Sequence, residues 1–143
     1  MSEATPSEVV RRWFEEGLND GNLDLIDELF SPKFQAEGGP HGTLDRLAYR
    51  KYAEAVRFAA PDLHCEVIEL LEAGDYVVTR VRSTGTHSGD IEGIKSTGQK
   101  VVTEVVDVWK VEEGLIIERC NTEFDTVGLR DQLDRTIRFN PDN

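Results

Sequence analysis

The sequence predicts an α+β domain in which helices cover one face of a curved antiparallel or mixed sheet. A change in apolar spacing along the chain predicts this class. Apolar residues recur at helical spacing before residue 60, whereas after residue 63 they alternate or form runs rich in valine and isoleucine. The length, 143 residues, suits one domain spanning the whole chain, with a core over about residues 7–135 and polar tails at both ends.

Three helices are predicted in the first half. The first begins with Ser7 as its N-cap and ends at the turn 19–22. The second covers residues 23–30 and stops at Ser31-Pro32, after which a strand stub leads into a glycine-rich loop over 34–43. The third runs from Thr43 to Pro61, and its apolar face comprises Leu44, Leu47, Ala48, Tyr52, Ala55, Val56 and Ala59.

Four long strands are predicted over residues 63–72, 76–87, 100–111 and 115–124, and a short helix over 127–135. Glycine-bearing turns at 73–75, 89–98 and 112–114 separate the strands. Strands of about 12 residues at roughly 3.3 Å each span some 40 Å and must twist and curl. A curled sheet around the helices would enclose a cavity for a small apolar ligand.

Composition disfavours several classes of partner. The chain has 28 acidic against 16 basic residues and a formal charge of −12, which repels nucleic acid and anionic membrane surfaces. Cys65 and Cys120 lie too far apart in sequence for a typical zinc or redox motif. There is no phosphate loop, nucleophile elbow or His-x-x-x-His spacing, so we expect no metal and no cofactor. The absence of a signal peptide or long apolar run predicts a cytoplasmic location.

Several short segments, in order along nearly the whole chain, carry a family resemblance. They are APDL at 60–63, GTHSG at 85–89 and FDTVGL at 124–129 ahead of QL at 132–133. With the order of elements, they make the chain resemble the NTF2-like cone fold and, within it, the SnoaL-like polyketide (ester) cyclases. The resemblance implies intramolecular aldol-type ring closure of a polyketide ester, without metal or cofactor.

The resemblance also assigns residues. Asp125 matches the acid/base aspartate of these cyclases, and His87 matches a histidine commonly near it. The chain departs from the family at Glu37, where many relatives carry histidine, and at residues 120–122, where a tryptophan is often found. The interval from Gly114 to Asp125 is one residue longer than in many relatives, and a β-bulge would absorb the difference.

The chemistry sets requirements for such an aspartate. A solvated aspartate, with a pKa of about 3.9, is too weak a base to remove a proton beside a carbonyl, and burial in an apolar cone would raise that pKa. Burial also demands a hydrogen-bonding neighbour, such as His87, Asn121 or a tyrosine. Counting by two along the last strand places Arg119, Asn121 and Glu123 on the face of Asp125. The other residues expected to line the site are Trp13, Phe14, Glu37, Tyr52, Asp107 and Trp109.

Two alternatives stay open. An epoxide hydrolase or isomerase on the same fold could use Arg119 with Asp125 and either Asp107 or Glu123. A non-catalytic ligand-binding or dimerisation domain would instead fill the cavity with its own side chains. In each case we expect a small apolar or aromatic ligand for any open cavity, and a homodimer or homotetramer formed through the outer face of the sheet.

Overall fold

The structure, a computed structural model, describes residues 4–37, 42–91 and 93–124, with only the backbone for 121–124. The helices are α1 (Pro6–Arg12), which continues as a π-helix (Trp13–Asn19), α2 (Leu25–Leu29) and α3 (Arg46–Ala59). The strands are β1 (Phe30–Ala36), β2 (Leu44–Asp45), β3 (His64–Ala73), β4 (Tyr76–Thr86), β5 (Lys100–Glu112) and β6 (Leu115–Phe124). The predicted helix over 127–135 lies outside the described residues. None of the described helices has the length and apolarity to cross a membrane.

The first helix begins earlier than predicted. Thr5, not Ser7, is the N-cap: its hydroxyl accepts from the Glu8 amide at 3.2 Å, and the Glu8 carboxylate accepts from the Thr5 amide at 3.0 Å. Pro6 occupies the first helical turn, where its missing N–H costs nothing. Ser7 instead donates its hydroxyl to Glu72 at 2.6 Å, which ties α1 to β3.

The π-helix brings its widened turn against the core. Trp13 is fully buried, and a Cβ placed on Gly17 would lie 2.3 Å from the indole Cε3 atom, so only glycine leaves room for this ring position. At the end of the π-helix, the Asn19 side chain accepts from the Cys65 amide at 2.6 Å and donates to the Cys65 carbonyl at 2.9 Å. These contacts fix the helical layer against the start of β3.

The six strands form one curved mixed sheet in the order β2-β1-β6-β5-β4-β3. Neighbours pair antiparallel except β1 and β6, which are parallel. The four long strands lie within one residue of the predicted bounds at each end, which confirms the predicted α+β class. The first strand is longer than the predicted stub and begins at Phe30, directly after α2, so Ser31 and Pro32 lie in the strand.

The helices pack on one face of the sheet, but the face that α3 presents differs from the prediction. Leu47, predicted to be apolar core, is 63% exposed, whereas Tyr49 and Ala53 are buried. Helix α3 begins at Arg46 under an Asp45 cap rather than at Thr43. The aromatic ring of Tyr49 packs against Phe30 and Phe34 of β1, and this contact sets which side of the helix faces the core.

Two bulges break the alternation of β6. Opposite β5, the register skips one residue between Ile116 and Glu118 and another between Cys120 and Thr122. Arg119 and Glu123 were predicted to share one face by counting in twos from Asp125. That count is wrong across the second bulge, since one inserted residue moves the positions on its far side to the opposite face. The backbone partner of Asp107 is Thr122, which was not predicted. A bulge in this strand was expected from its length.

Candidate functional site

A buried pair of opposite charges lies on the inner face of the sheet. Arg119 is the direct register partner of Trp109 on β5, and Asp107 lies two residues from Trp109 on the same face. Asp107 and Arg119 are thus diagonal neighbours, the separation at which long side chains meet across strands. The Arg119 Nε atom lies 3.9 Å from Asp107 Oδ1, and the two side chains are 11% and 6% exposed.

Aromatic side chains from the helices pack beside this pair. The Arg119 guanidinium carbon lies 5.2 Å from the centre of the Tyr49 ring, within cation–π range. The indole N–H of Trp13 donates to the Tyr49 hydroxyl at 3.2 Å. Burial raises the pKa of Tyr49 to about 12, against an opposing effect of the Arg119 charge, so the phenol is neutral at physiological pH.

Aromatic and aliphatic side chains form the rest of the inner face. Trp109 is fully buried, and its indole N–H donates to the buried Thr79 hydroxyl at 2.9 Å. Phe14 meets Trp109 edge-to-face at a centroid distance of 5.6 Å. Val77 and Val81 of β4 are buried on the same side. An apolar wall around one polar centre suits a ligand with an apolar body and a polar group.

His87 lies at a different level of the sheet. The His87 backbone amide donates to the Gln99 carbonyl at 2.9 Å, and Gln99 directly precedes β5. Asp107 lies eight residues after Gln99, which corresponds to about 26 Å along the strand. The structure does not bring His87 to the Asp107–Arg119 pair. Phe124, the last described residue before Asp125, pairs with Val105, six residues along from Gln99.

The His87 ring is nevertheless buried and oriented. The Thr97 amide donates to Nδ1 at 3.2 Å, and the Thr97 hydroxyl lies 3.0 Å from the same atom. A nitrogen that accepts an N–H bond carries no proton, so the neutral ring holds its proton on Nε2. Within the part of the chain that the structure describes, Nε2 is buried with no hydrogen-bond partner.

The remaining predicted site residues are distributed unevenly. Tyr52 is half-buried beside Tyr49 and packs against the core. Glu37 is exposed just after β1, and its backbone amide donates to the Arg119 carbonyl at 2.8 Å. Asn121 lies at the second bulge of β6, and its side chain is outside what the structure describes. Asp125 and the loop residue His41 also lie outside the described residues.

The described side chains provide no cluster of three or more His, Cys, Asp or Glu residues positioned to hold a metal ion. Cys65 is buried with its sulfur 3.4 Å from the Ser83 hydroxyl, and burial raises the pKa of its thiol. Cys120 is partly buried, and burial, the largest cause, together with nearby carboxylates raises the pKa of its thiol as well. A raised pKa leaves both cysteines as weakly reactive thiols.

Three residues of this region were not among the predicted site residues: Tyr49, Thr79 and Thr97. Tyr49 lies four residues before the buried Ala53, so a helical face drawn through aromatic residues rather than through leucines would have included it. Thr79 is inward by alternation from the buried Val77 and Val81, but nothing in the sequence pairs it with Trp109. Thr97 lies in a loop with no periodic pattern.

Comparisons with known proteins agree with this architecture. The SnoaL-like polyketide cyclase family matches residues 8–133. The aklanonic acid methyl ester cyclase DnrD of Streptomyces peucetius is 25% identical over 122 residues, covering 79% of this chain and 80% of that protein.

Solved structures extend the comparison to the fold. Wild-type IdmH from Streptomyces antibioticus, described as a proposed polyketide cyclase, is 27% identical with a TM-score of 0.78 and coverage of 91% and 99%. A SnoaL-like protein from Jannaschia sp. CCS1, 24% identical, has a TM-score of 0.83 with coverage of 92% and 93%. The fold is therefore the NTF2-like cone that the sequence predicted, and the chain belongs to the SnoaL-like polyketide cyclase family.

Proposed function

We propose that the protein is a cofactor-independent cyclase that closes a ring by an intramolecular aldol reaction. Its substrate is a polyketide-like ester or another small, largely apolar carbonyl compound. The family match over residues 8–133 supports this proposal, as does the relative DnrD, whose name describes a cyclase acting on aklanonic acid methyl ester. We infer the residue roles from the family resemblance and from the inner face of the sheet.

The observation that carries the proposal is the buried Asp107–Arg119 pair within an aromatic wall. In an aldol closure a base removes the α-proton, the enolate carbon attacks a second carbonyl carbon to form the new C–C bond, and the resulting alkoxide takes a proton. Negative charge develops on oxygen in both steps. A fixed cation in a site of low dielectric stabilises such charge far more than water does, and Arg119 supplies that cation.

Asp125 is the proposed acid and base. It takes the α-proton and returns a proton to the alkoxide, so no net proton is consumed. It directly follows Phe124 in the chain, and Phe124 pairs with Val105 of β5. Its assignment to this role comes from the family resemblance carried by residues 124–129.

His87 is proposed as a hydrogen-bond donor to a substrate oxygen rather than as a base. Its Nδ1 is engaged by Thr97, which leaves the Nε2 proton for a ligand. Because His87 is separated along the sheet from the Asp107–Arg119 pair, it would contact a different part of a long substrate. A His87→Ala variant is then expected to raise KM more than it lowers kcat.

The test is turnover of aklanonic acid methyl ester and of simpler β-keto esters that carry an additional ketone at ring-forming distance, followed by chromatography and mass spectrometry. Ring closure is an isomerisation, so the proposal predicts a new product of unchanged mass. Loss of this product in Asp125→Asn, with full activity in the surface variant Asp75→Asn, supports the assigned base. No isomerised product from any of these esters would refute the proposal for this class of substrate.

Epoxide hydrolysis is the second candidate, favoured by the same buried pair. One carboxylate would take a proton from water while the water oxygen attacks an epoxide carbon, and an acid would protonate the leaving epoxide oxygen. Arg119 would hold the carboxylate of Asp107 in place. Hydrolysis adds the mass of one water, which distinguishes it from ring closure. A diol formed from an aromatic epoxide and lost in Asp107→Asn would favour this reaction over the first.

We also propose that the protein forms a homodimer or homotetramer through the outer face of the sheet. Leu71, Tyr76 and Val102 lie on that face, because Leu71 pairs with Val78 and Val102 with Thr84, on the side of β4 opposite to the buried Val77 and Val81; they are 64%, 43% and 47% exposed. Such exposed apolar side chains would be covered if the outer faces of two copies packed together. Light scattering on the purified protein, with Val102→Glu as the disrupting variant, measures the assembly directly; a monomer at all concentrations contradicts the proposal.

A further inference from the structure

Arg119 is a buried arginine whose side chain is poorly satisfied by the protein. Its guanidinium makes two contacts among the described residues: the ion pair with Asp107 at 3.9 Å and the face of the Tyr49 ring at 5.2 Å. Neither is a hydrogen bond, since 3.9 Å exceeds the usual N–H···O range. The Nε atom is buried with no hydrogen-bond partner in this part of the chain.

The surface arginines behave differently. Arg50 donates to Asp24 at 2.5 Å, Arg80 to Glu69 at 2.6 Å and Arg82 to Glu104 at 2.9 Å. These exposed side chains could be satisfied by water, yet they have close carboxylate partners. A guanidinium has five N–H donors and is costly to bury, so the buried arginine is the one that most needs acceptors.

We propose that Arg119 is the recognition group for a carboxylate of the ligand. This inference rests on the proposed function because it names the substrate class for the same site: aromatic or polyketide-like molecules that carry an acidic group. The planar fork of a guanidinium fits such a group with two parallel hydrogen bonds.

The surroundings favour this ligand. Tyr49 supports the guanidinium from one side, and the direct register partner of Arg119 is the buried Trp109, so an apolar body bound beside the guanidinium would meet aromatic side chains. Asp107 balances the buried charge in the absence of ligand, and it also repels a bound oxyanion. The overall charge of −12 disfavours non-specific binding of anions, so an anion preference that depends on Arg119 would report on this site.

The experiment compares 2-naphthoate with 2-naphthamide, which have the same ring system but differ in charge. Binding is measured by calorimetry and by tryptophan fluorescence at low and high salt, on the intact chain. In the wild type we expect the carboxylate to bind at least about 10-fold more tightly than the amide, as charge-assisted hydrogen bonds predict. Arg119→Gln is expected to abolish this preference, and the matched surface variant Arg82→Gln to retain it.

A second variant keeps the inference testable if Arg119→Gln does not fold. Asp107→Asn preserves the shape of the neighbouring side chain but removes its repulsion, so it is expected to tighten 2-naphthoate binding while leaving 2-naphthamide unchanged. Equal affinities of the two ligands in the wild type would overturn the inference and would indicate that ordered water satisfies Arg119. A carboxylate preference that persists in Arg119→Gln would overturn it as well.

These outcomes are separable from those of the proposed function. Naphthoate binding involves no turnover, and ring closure of an ester needs no carboxylate on the substrate. A protein that cyclises esters but binds the two naphthalene ligands equally contradicts only the inference about Arg119. A protein that prefers the carboxylate but yields no isomerised ester contradicts only the proposed reaction.

Discussion

The Tyr49 phenol provides a quantitative test of the buried cluster through the alkaline dependence of stability. Burial raises its pKa from the ordinary value of 10.0 to about 12 in the folded protein. The unfolded chain therefore ionises Tyr49 first, and between these two values the unfolded state binds fewer protons than the folded state. Stability from this group is complete below pH 10 and decreases as the pH rises toward 12.

The size of the effect follows from the shift. This shift corresponds to about 3 kcal/mol over the full range, and roughly half of this is lost by pH 11. Tyr49→Phe removes this dependence. It also leaves the buried Trp13 indole N–H without its acceptor, which costs about 1–3 kcal/mol at pH 8. The variant should therefore begin less stable and approach the wild type as the pH rises.

The assay is urea denaturation at pH 8, 10 and 11, followed by fluorescence and circular dichroism. Tyr76→Phe removes an exposed phenol at the first residue of β4 and is the matched control, since Tyr76 does not contact the Trp13–Tyr49 pair. The difference in free energy of unfolding between the wild type and Tyr49→Phe should shrink by roughly 1–2 kcal/mol from pH 8 to pH 11. A difference that stays constant over this range would refute the placement of Tyr49 in a desolvated cluster.

Two further substitutions test how the helical layer positions this cluster. Gly17→Ala would place a Cβ 2.3 Å from the Trp13 ring. Overpacking of this kind should lower the free energy of unfolding by about 1–3 kcal/mol and alter tryptophan fluorescence. An unchanged urea midpoint would argue against the packing of Trp13 on Gly17. Asn19→Ala removes two hydrogen bonds to the backbone of Cys65 and should lower the free energy of unfolding by about 1–3 kcal/mol. Hydrogen-exchange measurements should then show faster exchange of the Cys65 amide. Unchanged protection of that amide would contradict the contact.

The long strands could be predicted from the sequence because their signals are local. Alternating valines and the turns at Gly74 and Gly114, both with positive φ, define where each strand ends. The parallel pairing of β1 with β6 is a different matter, since it joins strands that are about 80 residues apart along the chain. No local pattern specifies such a pairing, and the tertiary packing decides it.

The candidate site was only partly predictable. Asp107, Trp109 and Arg119 were selected from residue type and approximate position, and the structure brings them together. Tyr49 was missed because the helix face was drawn through Leu47, which points to solvent at 63% exposure. The position of residues beyond Cys120 could not be read from alternation, because a bulge is set by local pairing rather than by apolar period.

The most direct test of the account is the rate of ring closure by the wild type and by Asp125→Asn, measured under single-turnover conditions on a substrate shown to isomerise. Asp75→Asn is the matched control, because it makes the same chemical change in the turn between β3 and β4. The account predicts that Asp125→Asn abolishes turnover, that Asp75→Asn leaves the rate unchanged, and that both variants stay within about 1–2 kcal/mol of the wild-type stability. Unchanged ring closure in Asp125→Asn would contradict the central claim that this aspartate moves the proton.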